Sequence, residues 1–272
     1  MIFVDSHVHI YDCFDVDVLF DSALNNFQAV AEQYKTTQEI SFVLLLTEGA
    51  TEDWFHNVLT DIESDELGSK KISSQWSGLY SEKAGTLTVY RNDSPEEKIE
   101  IVAGRQVVTR EKIEVLALFC QKRIAHGLSL AETVSAVERS GGIPVLPWGV
   151  GKWIGKRGEI IKQFLSDHLS KRPYLGDNGG RPLFWPTPDL FYFARKTGVV
   201  VLPGTDPLPI PAEAERIGSY GFYLDEKKTY NDSPAMYLKN ALLSQEEEFV
   251  PFGRLLSSRL FFLNQLRLRF FS

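Results

Sequence analysis

The chain is poor in cysteine, carries no excess of positive charge and has no long apolar run, and each shortage excludes something. Its two cysteines among 272 residues, Cys13 and Cys120, lie far apart and form no Cys-x-x-Cys pair, so no disulfide framework is indicated. Twenty-nine Lys and Arg stand against 36 Asp and Glu, for a formal net charge of -7. A broad nucleic-acid-binding surface needs a basic face, so a nucleic-acid partner is not expected. A compact basic pocket for a small anion is still compatible with that balance. No run of about 18 or more uncharged apolar residues is present to cross a bilayer. The first residues lack the basic start and apolar core of a secretory signal. The expectation is a cytoplasmic protein with no membrane association. Hydrophobic residues make up 43% and charged residues 24%, an ordinary globular composition. The length permits two domains but equally suits a single α/β barrel.

Apolar strand-like segments alternate with amphipathic ones along most of the chain. Strands are predicted at Ile2 to Val4, Ile40 to Leu46, Thr86 to Tyr90, Ile99 to Ala103, Glu114 to Phe119, Ile143 to Leu146, Tyr174-Leu175 and Val199 to Leu202. Ile40 to Leu46 is near-continuously apolar, as in parallel strands buried on both faces. Helices are predicted at Val16 to Tyr34, Ser129 to Ser140, Glu159 to Ser170 and Asp189 to Lys196. Ser129 with Glu132 three residues on makes a capping box, and Gly141-Gly142 ends that helix. Asn92-Asp-Ser-Pro95 has turn chemistry and joins two short strands into a hairpin insertion over about 85–103. Alternation of this kind implies parallel strands with crossover helices. The predicted fold is therefore one α/β domain over 1–272, a TIM-like (β/α) barrel of about seven strands with that hairpin and a helical tail at about 253–271. The tail is apolar and carries Arg254, Arg259, Arg267 and Arg269. It is expected to pack on its own barrel or to make a homo-oligomer rather than to lie in a membrane interface.

In such barrels the chemistry sits just beyond the C-terminal ends of strands. His7 and His9, at i and i+2 on the first strand, project to one side and can reach one ion. Asp206 follows the last strand. Two imidazoles and a carboxylate are the donor set of zinc, manganese or iron sites, so the cofactor expected is one or two divalent ions. Such an ion lowers the pKa of water toward about 7, and a nearby carboxylate can take the proton. Glu48, Glu114 and Asp177 are the candidate acids for that role or for completing the ligand set. Trp148 stands after a strand as a candidate pocket wall.

The loop Gly149-Val-Gly-Lys-Trp-Ile-Gly-Lys-Arg-Gly158 lies between a strand and a helix. Glycine amides at a helix start bind anions, and Lys152, Lys156 and Arg157 add positive charge. The glycine spacing and the absence of Ser or Thr after the lysine rule out a P-loop. Asn178 and Arg181 sit in Gly-Asp-Asn-Gly-Gly-Arg181, where the guanidinium can grip a phosphate or carboxylate in two places or pair with a nearby acid. His56, His126 and His168 have polar neighbours and are expected at the surface.

Asp5-Ser-His-Val-His9 resembles the Asp-x-His-x-His opening of the polymerase-and-histidinol-phosphatase (PHP) family, a distorted βα barrel. Leu46-Thr-Glu-Gly49 falls where that family has Thr-Asp-His. Ala103-Gly-Arg-Gln106 falls where it has a glycine and a metal-bridging glutamate. Gly141-Gly-Ile-Pro-Val-Leu-Pro-Trp148 is similar to its Gly-Gly and Ala-His-Pro stretch, and Gly204-Thr-Asp-Pro207 to its Gly-Ser-Asp-x-His close. Gly49, Gln106, Glu114 and Trp148 replace the residues usual there, and only His7, His9 and Asp206 match ligand positions outright. The resemblance implies a divergent member that hydrolyses a small anionic phosphoester with one or two metal ions. Two other readings stay open. One is a degenerate barrel that binds a ligand or partner without catalysis. The other is an amidohydrolase-type C–N or C–O hydrolase, with Lys152 as a carboxylated ligand.

Overall fold

Every residue of Ile2–Val8 is buried, and this first strand (β1) organises the molecule. The computed structural model describes residues 1–34, 39–63, 69–168, 173–225 and 233–271. After β1 come α1 (Val16–Ala31), β2 (Ser41–Leu46), α2 (Trp54–Glu63), β3 (Ser69–Lys71), β4 (Trp76–Ser81), β5 (Thr86–Arg91), β6 (Lys98–Val102), β7 (Gly104–Val108) and β8 (Glu114–Leu118). Then follow α3 (Leu130–Arg139), β9 (Ile143–Pro147), α4 (Lys156–Asp167), β10 (Tyr174–Asn178), α5 (Asp189–Thr197), β11 (Val201–Gly204), a short 3-10 helix (Pro211–Arg216), β12 (Tyr220–Leu224), α6 (Pro234–Ser244), β13 (Val250–Gly253) and α7 (Ser258–Phe271).

The strand ladders form two open mixed sheets, not one closed barrel. The first has the order β13-β12-β1-β2-β6-β5-β4-β3, the second β11-β10-β9-β8-β7. The all-parallel expectation fails at β8, which runs antiparallel to both β7 and β9. The predicted hairpin is present as β5 and β6. However, β6 also pairs in parallel with β2, so the added structure is a meander of β3, β4 and β5. The helix predicted to end at Ser170 ends at Asp167, with Leu169 and Ser170 outside the described residues.

Alternation along the strands sorts side chains into three layers. Ile2 and Val4 of β1 and Leu116 and Leu118 of β8 point between the sheets, with Val43, Leu45, Val145, Leu202 and Phe222 and with Leu238 of α6. On the outer face of the first sheet Phe3 meets α1 through Leu19, Phe20, Leu24 and Phe27. On the outer face of the second, Val115 and Ala117 meet Val134 and Val137 of α3 and Ile161 and Leu165 of α4. Helix α1 starts where Asp15 accepts hydrogen bonds from the amides of Asp17 and Val18, an N-cap that satisfies donors the helix cannot. The capping box of Ser129 and Glu132 on α3 forms as predicted.

Two seams join the sheets without a full ladder. At one, an isolated parallel bridge links Glu48 and Arg105, just after β6 turns into β7. Gly104 makes that corner, because a Cβ there would collide with the Leu46 carbonyl oxygen. At the other, the Asp206 amide donates to the His7 carbonyl at 2.8 Å and Ser6 Oγ donates to the Pro203 carbonyl at 2.8 Å. Gly204 allows this approach, since a Cβ would strike the backbone of His7. Asp5 clamps the second seam. It accepts from the Thr205 amide at 2.9 Å and hydroxyl at 2.6 Å, the Gly218 amide at 3.0 Å and the His7 amide at 3.3 Å. Burial pushes its carboxyl up to about 6 against these bonds, which lower it.

Candidate metal site

His7 lies near the end of β1 and His9 just beyond it, each with about 3% of its surface exposed. Asp206 follows β11 across the second seam. His7 Nε2 and His9 Nε2 lie 3.3 Å apart. Asp206 Oδ1 is 3.4 Å from the first and 3.7 Å from the second. Among the described residues these three form the one group of at least three His, Cys, Asp or Glu side chains close enough to share an ion. Metal bonds of about 2.1 Å at a tetrahedral angle set neighbouring donors about 3.4 Å apart, so the spacing fits. A ring proton or a bound cation would satisfy the contacts among these three atoms.

Asp206 and His9 are each held from behind. Asn178 donates its Nδ2 to Asp206 Oδ2, which leaves Oδ1 facing the imidazoles. Asp206 itself has φ of 45°, left-handed backbone that Asp tolerates better than most residues. His9 Nδ1 meets Glu52 Oε2 at 2.8 Å, and the ring stacks on Tyr11 with centroids 5.3 Å apart. Thr47 Oγ1 lies 3.4 Å from His9 Nε2, and Gln106 Oε1 lies 3.3 Å from His7 Nε2. Burial lowers the pKa of His7, against the opposing charge of Asp206. Burial also acts to lower that of His9, but the Glu52 hydrogen bond and the Asp206 charge outweigh it and raise the pKa.

The three candidate acids fall in different surroundings. Because β8 is reversed, its first residue, Glu114, stands at the same rim as the C-terminal ends of β7 and β9. Its charge bears on both histidines, and its Oε1 is bound by Lys152 Nζ. Glu48 lies elsewhere: its Oε1 accepts from the Phe55 amide at 2.8 Å and its Oε2 pairs with Arg105 Nη1 at 3.0 Å. Asp177 receives Arg181 Nε and Nη2 at 2.9 and 2.7 Å and the Tyr220 hydroxyl at 2.9 Å. Arg181 is thus in the ion-pair alternative, buried rather than at the surface, with its guanidinium 5.7 Å from the Phe191 ring.

The glycine loop is only partly arranged as an anion cradle. Lys152 turns to Glu114, and Arg157 Nη2 donates to the Gly151 carbonyl at 2.7 Å. Lys156 is the exposed first residue of α4. Trp148 is buried, edge-on to Trp185 with centroids 5.9 Å apart, and with Trp153 it lines a cleft of about 520 Å³. His56, His126 and His168 are exposed, as expected. Glu52 is the residue that sequence reasoning missed. It is a loop acid with no periodicity or motif around it, and its only signal is proximity to the end of β2.

No protein-family model matches this sequence, and no curated protein does. Solved structures do. PsfC from Pseudomonas syringae PB-5123 superposes with a TM-score of 0.52 at 12% identity, over 98% of this chain and 97% of PsfC. The lesion-specific endonuclease PfuEndoQ from Pyrococcus furiosus superposes with a TM-score of 0.51 at 10% identity, over 91% of this chain and 57% of the endonuclease. The chain thus spans just over half the length of PfuEndoQ. At these identities the likeness is one of fold.

Proposed function

We propose that this protein is a metal-dependent hydrolase of small anionic phosphoesters, a divergent PHP-like enzyme with its site at the rim of a distorted barrel. The observation that carries the reading is the convergence of His7 Nε2, His9 Nε2 and Asp206 Oδ1 within 3.3–3.7 Å. The barrel reading rests on the two seams: strands β1, β2, β7, β8, β9, β10 and β11 follow one another in a circuit of seven. The fold shared with an endonuclease supports phosphoester chemistry, since an endonuclease cleaves phosphodiesters.

His7, His9 and Asp206 would hold a divalent ion, which when bound supplies a Lewis acid and lowers the pKa of water toward about 7. Glu114 takes the proton from the attacking water. Lys152 neutralises Glu114 and, being 40% exposed at its side chain, is placed to meet the anionic substrate. Gln106, beside His7, gives a neutral carbonyl oxygen where a further carboxylate would draw in a second ion. A single ion is therefore the occupancy proposed. The cleft lined by Trp148 and Trp153 holds none of His7, His9, Asp206 and Glu114, so it has no part in this reading. A non-catalytic binding role is the second reading, favoured by the fact that Glu48, Asp177 and Glu114 all carry cationic partners.

The test is turnover of phosphomonoesters and phosphodiesters, with DNA as a separate arm, by protein loaded with manganese, zinc or iron and by its His7→Ala variant. Turnover that requires the metal and disappears in His7→Ala is expected. Metal-free turnover, or turnover unchanged by the substitution, overturns the reading. Metal uptake without any turnover leaves the binding role.

A further inference from the structure

We infer that Glu52 is the positioning residue for His9, fixing the imidazole as the Nδ1–H tautomer so that Nε2 presents a lone pair to the ion. The inference rests on the proposed metal site and extends it to a residue that touches no metal.

The local geometry restrains the ring from two directions, edge and face. Glu52 Oε2 lies 2.8 Å from His9 Nδ1, the length of a charge-assisted hydrogen bond. An ionised carboxylate only accepts, so the proton between them belongs to Nδ1. The same oxygen accepts from the Gly49 amide at 3.1 Å, which ties the carboxylate to the end of β2. Arg105 Nη1 donates to the Glu52 carbonyl at 3.1 Å, which fixes the backbone of the loop. Tyr11 covers one face of the ring, with planes 11° apart. With tautomer and tilt set, His9 Nε2 points toward His7 Nε2 and Asp206 Oδ1. Partners of this kind behind a ligating histidine typically change metal affinity about 10- to 100-fold when removed.

Two measurements on the full chain test this. In metal-free wild-type protein at alkaline pH, ring-nitrogen NMR should show His9 with its proton on Nδ1. A His9 protonated on Nε2 overturns the inference whatever the metal does. Cobalt(II) titration should then give affinities lower by about 10- to 100-fold in Glu52→Ala, with an altered ligand-field spectrum and recovery in Glu52→Gln, whose amide oxygen still accepts from Nδ1–H. Glu52→Met, which keeps bulk without an acceptor, takes the place of Glu52→Ala if that variant does not fold. Wild-type affinity and spectrum in the variant lacking an acceptor refute the role. Failure of the wild type to bind cobalt sinks the metal site itself, and the NMR result then decides the tautomer independently.

Discussion

At the scale of single residues, Asp206 concentrates the constraints. Its carboxylate has one oxygen committed to Asn178 and the other turned to the histidines. Its left-handed backbone is pinned by the hydrogen bond its amide donates to the His7 carbonyl. Asp206→Asn keeps the shape and tolerates the backbone but removes the charge, so divalent metal affinity should collapse while the metal-free protein keeps its melting temperature within a few degrees. Isothermal titration and thermal melting check the two halves of that statement. Glu114→Gln separates catalysis from binding. If Glu114 takes the proton from water, kcat should fall by about 100-fold or more, while metal affinity changes little because no ligand is lost. A kcat within a few-fold of wild type would move the base elsewhere. Of these residues, His7, His9 and Asp206 were legible in the sequence because a strand's two-residue period makes His-x-His a local statement, and because Asp206 falls four residues after the apolar run Val199 to Leu202. Glu48 and Asp177 looked equivalent to Glu114 in the sequence. Only the folded chain shows Arg105 and Arg181 taking their oxygens.

At the scale of elements, the two seams depend on missing side chains. Gly204→Ala would drive a methyl group into the His7 backbone, and neither partner is a flexible side chain. Overpacking of this kind costs about 1–3 kcal/mol, and the strain falls on the strand end that carries both histidines. Denaturant unfolding should show that loss, and metal affinity should fall with it. Helix α6 supplies a pH-dependent test. Glu100 Oε2, on β6, accepts from the Ala235 amide in its first turn at 2.9 Å, and burial pushes the Glu100 carboxyl above the ordinary glutamate range. A carboxyl that is harder to ionise in the folded state binds its proton more tightly there than when unfolded. Its contribution to stability is therefore fully present below the unfolded glutamate pKa and declines as pH rises through the folded one. The stability of wild type relative to Glu100→Gln should drop as pH rises from the unfolded value through the folded one and then level off. A difference that grows with pH instead would refute the assignment. The sequence located eight strands because each is an apolar run between turn residues. It did not show the corner at Gly104, since a bend between two strands looks like one longer strand. Nor did it show the reversal of β8, because strand direction is set by the connections and not by composition.

For the molecule as a whole, the candidate site exists only where four distant stretches meet: the end of β1, the loop before α2, the middle of β7 and the loop after β11. Asp5 is the group that makes this meeting a property of the fold. It touches no ligand side chain, yet it binds the loop that carries Asp206 through Thr205 and the turn at Gly218. Asp5→Ala would strand four buried donors, and each unsatisfied group costs about 1–3 kcal/mol. Metal binding and folding are consequently linked, because the unfolded chain holds the donors some 200 residues apart in sequence, His7 against Asp206. An ion that binds only the folded state stabilises it by about 2.7 kcal/mol when its free concentration is about 100 times its Kd. That corresponds to a rise in Tm of about 5 °C for a domain of this size. Wild-type protein should show the rise with a divalent ion and lose it with a chelator, and Asp206→Asn should show neither. Asp5→Ala should melt lower without metal and should regain part of the deficit when metal is added, since the ion pulls together the same two chain segments that Asp5 holds. A metal-induced shift in wild type that persists undiminished in Asp206→Asn would place the ion outside this rim and detach the proposed chemistry from it.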